Sequence, residues 1–207
     1  MAMLPVCDKH LVWTDCETTG LDEFDNDILD IAIVRVLHDG TEEVFESKVQ
    51  MARPENAHPK ALAVNGYTEE RWANARPAAE VFQEIHDRGL LQDCILAGQN
   101  VGFDARFVNA TFRRLGIKSR VDYHMFDTVT LALEHLKPYI QSVSLVPVCI
   151  ALGIPVDGAH GAMADVRMAM AVHKVLTTAT PGEKALWPSV IPARLAAWRD
   201  QNPHSRS

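Results

Sequence analysis

The stretch Ile28 to Leu37, Ile-Leu-Asp-Ile-Ala-Ile-Val-Arg-Val-Leu, is apolar and β-branched apart from Asp30 and Arg35. A run of that composition reads as a strand. His38-Asp39-Gly40 follows it, and Asp-Gly between apolar runs is a hairpin signal. Val44 to Gln50 then supplies the return strand. Upstream, His10 to Thr14 reads as a strand that runs into Asp15-Cys16-Glu17-Thr18-Thr19-Gly20, and an acidic turn, Asp22 to Asp27, joins it to the second run. The first fifty residues therefore predict a three-strand antiparallel meander.

Beyond it the pattern changes. Residues 51–76 are rich in proline and alanine and predict loops and short helices. Helical spacing of apolar groups covers 78–91, through Val81, Phe82, Ile85 and Leu90, and a short buried strand follows at Cys94 to Gly98. Further helices are expected from Phe103 to Leu115, over 127–136 with Asp127 as cap, from Ser144 to Leu152-Gly153, and over 162–176. Pro181-Gly182 breaks the chain, and the tail beyond it carries a short amphipathic piece, Ile191 to Trp198. Strands first, then helices alternating with short strands, give an α/β domain with a mixed sheet flanked by helices. Loops at the carboxyl ends of the strands are where such folds place their sites.

A chain of 207 residues is sized for one domain and needs no disulfide or structural metal to fold. No stretch approaches the roughly 18 consecutive apolar residues of a membrane span, and no basic-then-apolar leader opens the sequence. The four cysteines form no Cys-x-x-Cys pair, so a reduced, cytoplasmic protein with buried thiols is expected. A net charge of -7 argues against coating nucleic acid by charge alone. It leaves room for an enzyme that meets nucleic acid through a metal-loaded acidic pocket, because bound divalent ions reverse the local sign.

Three places carry carboxylates in suggestive settings. Asp15 and Glu17 are two apart at a strand end, so alternation puts both on one face, about 6.5 to 7 Å apart, with Cys16 turned into the core. Side by side they repel, and one must hold a proton unless a cation lies between them. Asp104 follows a buried strand in Gln99-Asn100-Val101-Gly102-Phe103-Asp104, at a helix start. Asp165 stands in the first turns of the last strong helix, five residues after His160, whose loop is flanked by Gly158 and Gly161. Taken singly, each has a plain reading: an exposed acidic strand end, carboxylates that stabilise a helix dipole, a surface histidine.

Together and in this order, Asp-x-Glu-Thr-Thr-Gly, Asn-x-x-Phe-Asp and His-x-x-x-x-Asp resemble the DEDDh branch of the DEDD (DnaQ-like) exonucleases. These have the ribonuclease H-like fold, and the branch includes the proofreading subunits of bacterial DNA polymerase III. The tyrosine branch would carry tyrosine where Gly161 stands. Leu62-Ala63-Val64-Asn65-Gly66-Tyr67-Thr68, Phe126-Asp127-Thr128 and Ser144-Leu145 through Leu152-Gly153-Ile154 also fit, and the resemblance covers about residues 9–177. Gln99 departs from the histidine that many members have there, and Asn65 stands where some have histidine.

The resemblance implies an exonuclease domain over 1–180 and a tail over 181–207. It implies that Asp15, Glu17, Asp104 and Asp165 hold two Mg²⁺ or Mn²⁺ ions about 3.5 to 4 Å apart, with Asp15 bridging and neutral His160 as general base. Thr18, Thr19 and Leu21 would cradle the terminal nucleotide, backbone N–H groups there would anchor its 3′-OH, and Ala61, Val64, Asn65, Asn100 and Phe103 would line the rest. The expected reaction releases nucleoside 5′-monophosphates from the 3′ ends of single-stranded DNA, with a separate DNA polymerase as a partner for any proofreading role. RNA trimming of the ribonuclease T or oligoribonuclease kind is a rival reading, since no residue here reports on the 2′-OH. An inactive nucleic-acid-binding module of the same fold is another. Arg113, Arg114, Lys118 and Arg120 are either backbone-phosphate contacts or a solvated helix end. Asp22, Asp25, Asp27 and Asp157 read as solvated loop acids.

Overall fold

The computed structural model describes Pro5, residues 8–118, Val121 and residues 124–203. The meander is present: β1 (His10–Thr18), β2 (Ile28–Val36) and β3 (Glu42–Lys48) pair antiparallel in sequence order. Gly40, at φ 85°, closes the β2–β3 turn, a conformation that costs glycine nothing. β4 (Cys94–Gly98) lies parallel to β1, and β5 (Met125–Asp127) parallel to β4, so the sheet order is β3-β2-β1-β4-β5. This is the mixed sheet expected from the sequence. β5 was not legible there, because three residues carry no alternation.

The two faces of β1 meet different helices. Val12 and Cys16 pack with Ile31, Ile33, Phe45 and Leu96 beneath α2 (Ala78–Asp87) and α3 (Val101–Arg114). Phe82 and Phe112 meet edge-on there, 5.0 Å between centroids, a geometry worth about 0.5–1.5 kcal/mol beyond the area buried. On the opposite face Trp13, Ala32, Val34 and Ala97 lie beneath α6 (Ala162–Thr178), through Ala162, Val166 and Ala169. Four alanines in that layer let α6 approach the sheet closely, and its first turn reaches the end of β1.

The short α1 (Pro59–Val64) precedes α2. Around the outer side of α6 lie α4 (Thr128–Leu136), α5 (Leu145–Leu152) and α7 (Pro181–Gln201), joined by Leu136, Val148, Leu176, Ile191 and Leu195. Asp127 caps α4, its Oδ1 accepting the Val129 N–H at 2.9 Å, as the sequence predicts. Ser144 and Gly153 bound α5, Gly153 at φ 75°. The tail departs from expectation. In place of a short piece at Ile191 to Trp198 there is a 21-residue helix that begins with a Thr180–Glu183 capping box and runs through Pro188 and Pro192. Local propensity argues against helix at interior prolines. Burial of Ile191 and Leu195 in the helical layer outweighs it.

Candidate functional site

Alternation along β1 places Asp15 and Glu17 on the α6 face and buries Cys16 on the other, as expected. The β1–β2 register slips between Glu17 and Thr18, an irregularity of the kind that re-aims side chains beside active sites. Asp165, in the first turn of α6, meets the pair, and one carboxylate oxygen from each of the three lies within 4.8 Å of the others. Asp104 arrives separately. It is 3% exposed, in the first turn of α3, and its Oδ1 accepts the Cys16 N–H at 2.8 Å. The sheet thus brings together the four carboxylates singled out from the sequence, three as a cluster and Asp104 bonded to the strand between them.

Burial holds Asp15 well above the usual carboxylate range, and the charges of Asp104, Asp165, Glu17 and Asp30 add to it. Glu17 is pushed up to about 7 by burial, then by Asp165 and Asp30. Burial pushes Asp104 up to about 8 against the opposing pull of the Cys16 N–H. Asp165 is raised by burial too, with the His160 N–H opposing. Among the described residues, the charged groups that act most strongly on Asp15 and Glu17 are all acidic. Such a cluster needs protons or cations to be neutral, and an all-oxygen donor set favours hard divalent ions. The residues fit the expected metals.

Asp30 is a member the sequence reading missed. It pairs with Glu17 across β1–β2 and is pushed up to about 6 by burial and by Glu46. The hairpin register would have revealed it, since residues directly opposite share a face.

His160 is exposed and left-handed at φ 68°, and its N–H donates to Asp165 Oδ1 at 3.2 Å. With Asp165 it lines a cavity of about 890 Å³. A second cavity, of about 760 Å³, is lined by Thr18, Leu21, Ala61, Val64, Asn65 and Phe103 among others, six of the expected pocket residues. Leu21 and Val64 are 83% and 57% exposed, apolar lips on an open pocket. Asn65 is a clamp as well as a wall, donating to the Thr18 carbonyl at 2.8 Å. Phe103 packs against Phe107, the rings tilted by 41° with centroids 4.8 Å apart, while lining the pocket, so it serves core and cavity together.

Two expected pocket residues lie elsewhere. Thr19 is fully buried; its N–H donates to the Asp27 carbonyl and its Oγ1 accepts the Asp27 N–H, so that amide is not available to a 3′-OH. Asn100 is the left-handed residue before α3, and its N–H donates to Asp127 Oδ1 at 3.0 Å. Gln99 donates to the Val143 carbonyl and accepts the Thr128 hydroxyl, a structural bridge.

Asp27 corrects the sequence reading most sharply. It is 5% exposed rather than solvated, and accepts the N–H groups of Ala52 and Arg53 together with the Arg53 and Arg114 guanidinium groups. Arg114, read as a phosphate contact or a solvated end, is held at 2.7 Å by this carboxylate. Arg120 lies outside the described residues. Asp22, Asp25 and Asp157 are exposed as expected.

The family model RNase_T, described as exonuclease, matches residues 12–173. The chain belongs to the exonuclease family. The DnaQ-like resemblance read from the motifs holds, and by family the molecule is a 3′→5′ exonuclease domain, a phosphodiester hydrolase. The PolC-type DNA polymerase III of Thermotoga maritima is 31% identical over 162 residues, 78% of this chain and 11% of that protein. Its counterpart from Streptococcus pneumoniae is 27% identical over 151 residues, 73% of this chain and 10% of that protein. The exonuclease domain thus spans about a tenth of the length of these relatives. Escherichia coli exonuclease I in complex with a dT13 oligonucleotide shares the fold, with a TM-score of 0.71 at 22% identity, over 91% of this chain and 46% of that one. Among the described residues no helix is long and apolar enough to cross a membrane.

Proposed function

We propose that this exonuclease domain shortens single-stranded DNA from its 3′ end, releasing nucleoside 5′-monophosphates in a reaction that requires two divalent cations, Mg²⁺ or Mn²⁺. The observation that carries the proposal is the cluster of Asp15, Glu17 and Asp165, crowded and proton-hungry, beside a cavity of about 760 Å³. That volume lies within the ordinary range of small-molecule pockets.

The terminal nucleotide enters that cavity, its base against Phe103 and its sugar between Leu21 and Val64. Asp15, Glu17 and Asp165, with Asp104 from the α3 side, would hold the cations. Divalent ions bound there supply an activated water and neutralise the charge that develops on the leaving 3′ oxygen. Asp104 fixes the end of β1 through the Cys16 N–H, which keeps Asp15 and Glu17 aimed at the α6 face. His160, tethered to Asp165 by its own N–H, takes the proton of the attacking water on its imidazole nitrogen. The dT13 complex of the structural neighbour supports single-stranded DNA as substrate, and the polymerase relatives support a DNA polymerase as partner.

The test is a time course on 5′-labelled DNA and RNA of equal sequence with Mg²⁺, Mn²⁺ or EDTA. One-nucleotide shortening from the 3′ end, faster on DNA and absent in EDTA, is expected. Faster trimming of RNA would transfer the substrate to RNA. Binding without cleavage would leave only an inactive module, and cleavage in EDTA would overturn the metal requirement.

A further inference from the structure

The cavity of about 890 Å³ that holds His160 and Asp165 is walled on one side by Leu195, Trp198 and Arg199 of α7, and it shares Val64 with the proposed nucleotide cavity. We infer that α7 builds a second nucleotide subsite, with Trp198 as a stacking platform and Arg199 as a phosphate contact for the strand 5′ of the scissile bond. The inference rests on the nuclease reading above and extends it to a helix outside the residues that match the family, 12–173.

The helix presents these side chains by its own periodicity. Ile191, Leu195 and Trp198 are spaced four and then three apart, so they form one stripe. The first two are buried in the outer helical layer. The stripe then outruns the layer: Trp198 is half-buried and belongs to none of the hydrophobic clusters among the described residues. An aromatic ring at the edge of a core, facing a cavity, is placed to receive another flat group.

The wall is fixed rather than loose. Arg194 donates to the Ala151 carbonyl at 3.1 Å. Its guanidinium lies so close over Gly153 that a β-carbon there would come within 2.9 Å of it. This contact and the burial of Leu195 set the rotation of α7, and with it the direction of Trp198 and Arg199. Arg199 itself is exposed, and its guanidinium has no ion pair or side-chain hydrogen bond among the described residues.

Charge gives the occupant. Cations held by the carboxylate cluster would attract only the terminal phosphate, and the rest of the strand meets a chain whose net charge is -7. A guanidinium at the far wall supplies the compensating attraction. Ser142 and Ser144 add hydroxyls to the same cavity. A strand whose last nucleotide fills the first cavity continues past Val64, and the adjoining cavity offers an aromatic face and a cation. These are the two elements by which single strands are held without sequence preference.

The experiment measures cleavage of thymidylate strands of two to ten nucleotides, and of the p-nitrophenyl ester of thymidine 5′-monophosphate, by native protein, Trp198→Ala, Trp198→Phe and Arg199→Ala. Arg167→Ala is the control, a surface arginine paired with Glu42. Trp198→Ala is expected to raise KM about five- to hundredfold on the longer strands, with little change in kcat and a loss that grows with strand length. Trp198→Phe restores most of it. Arg199→Ala lowers the slope of log KM against log salt by about 0.7, and Arg167→Ala follows the native curve. Equal losses on the ester and the decamer, or no loss at any length, overturn the subsite. If native protein cleaves none of these substrates, the nuclease reading fails first. Anisotropy of labelled decathymidylate with Ca²⁺ then decides the subsite alone: unchanged affinity in Trp198→Ala overturns it, and weakened affinity supports it.

Discussion

His160 occupies a left-handed backbone position at φ 68°, between Gly158 at φ 78° and Gly161. L-residues seldom adopt it, although histidine does so more readily than most, and strain of this kind gathers at functional sites. The position separates chemistry from folding. In His160→Gly, relief of the left-handed strain, about 1–2 kcal/mol, is offset by the about 0.4–1 kcal/mol that a freer unfolded chain costs, so the variant should unfold no more easily than native protein in chemical denaturation, while turnover falls by roughly 10²- to 10⁴-fold. A variant that keeps near-native turnover would remove His160 as the base. Asp15→Ala and Asp165→Ala should abolish cleavage and leave the far-ultraviolet circular dichroism unchanged. Asp27→Ala behaves in the opposite way. It leaves the Arg53 and Arg114 guanidinium groups facing each other and should cost about 3–5 kcal/mol in urea unfolding. The contrast explains what was legible. Asp15, Glu17, Asp104, His160 and Asp165 lie in short motifs readable from the chain, whereas Asp27 and its partners are separated by 26 and 87 residues, a spacing no local pattern encodes.

The pairing of β4 with β1 beside the site depends on a close approach. Gly98 ends β4, and a β-carbon there would lie 2.7 Å from the Thr14 carbonyl oxygen, one residue from Asp15. Gly98→Ala therefore pushes β4 from β1, and a loss of about 1–3 kcal/mol is expected in thermal or urea unfolding. Turnover should fall as well, because Asp15 and the start of α3 move apart. Unchanged stability and turnover would show that the strands can separate freely. The meander, α4 and α5 were readable because alternation, an Asp-Gly turn and caps at Asp127 and Gly153 all point the same way. β5 was not, since it exists only because β4 offers an unpaired edge. Nor was the full length of α7, where two prolines argue locally against a helix that buried side chains stabilise.

At the scale of the whole molecule, the carboxylates couple stability to pH and to cations. Unfolded Asp and Glu titrate near 4. In the folded protein Glu17 titrates at about 7 and Asp104 at about 8. Between those limits the folded state binds more protons than the unfolded one, so stability falls as pH rises. His10 and His173, lowered by burial, oppose this near their ordinary value of about 6.5. The fall should therefore stand out between pH 7 and 8 in metal-free protein, and be shallower in Asp104→Asn. Divalent ions bind only the folded, deprotonated cluster, so the stabilisation they give should be larger at pH 8 than at pH 6. The most direct test of the account is one Mg²⁺ titration at pH 8, read both as thermal midpoint and as release of nucleoside 5′-monophosphate from single-stranded DNA, for native protein and Asp165→Asn. The two signals should rise over the same concentration range in native protein, with no nucleotide release and a much weakened midpoint shift in the variant. Nucleotide release that persists in chelator, or that appears in Asp165→Asn at the native Mg²⁺ concentration, would contradict it.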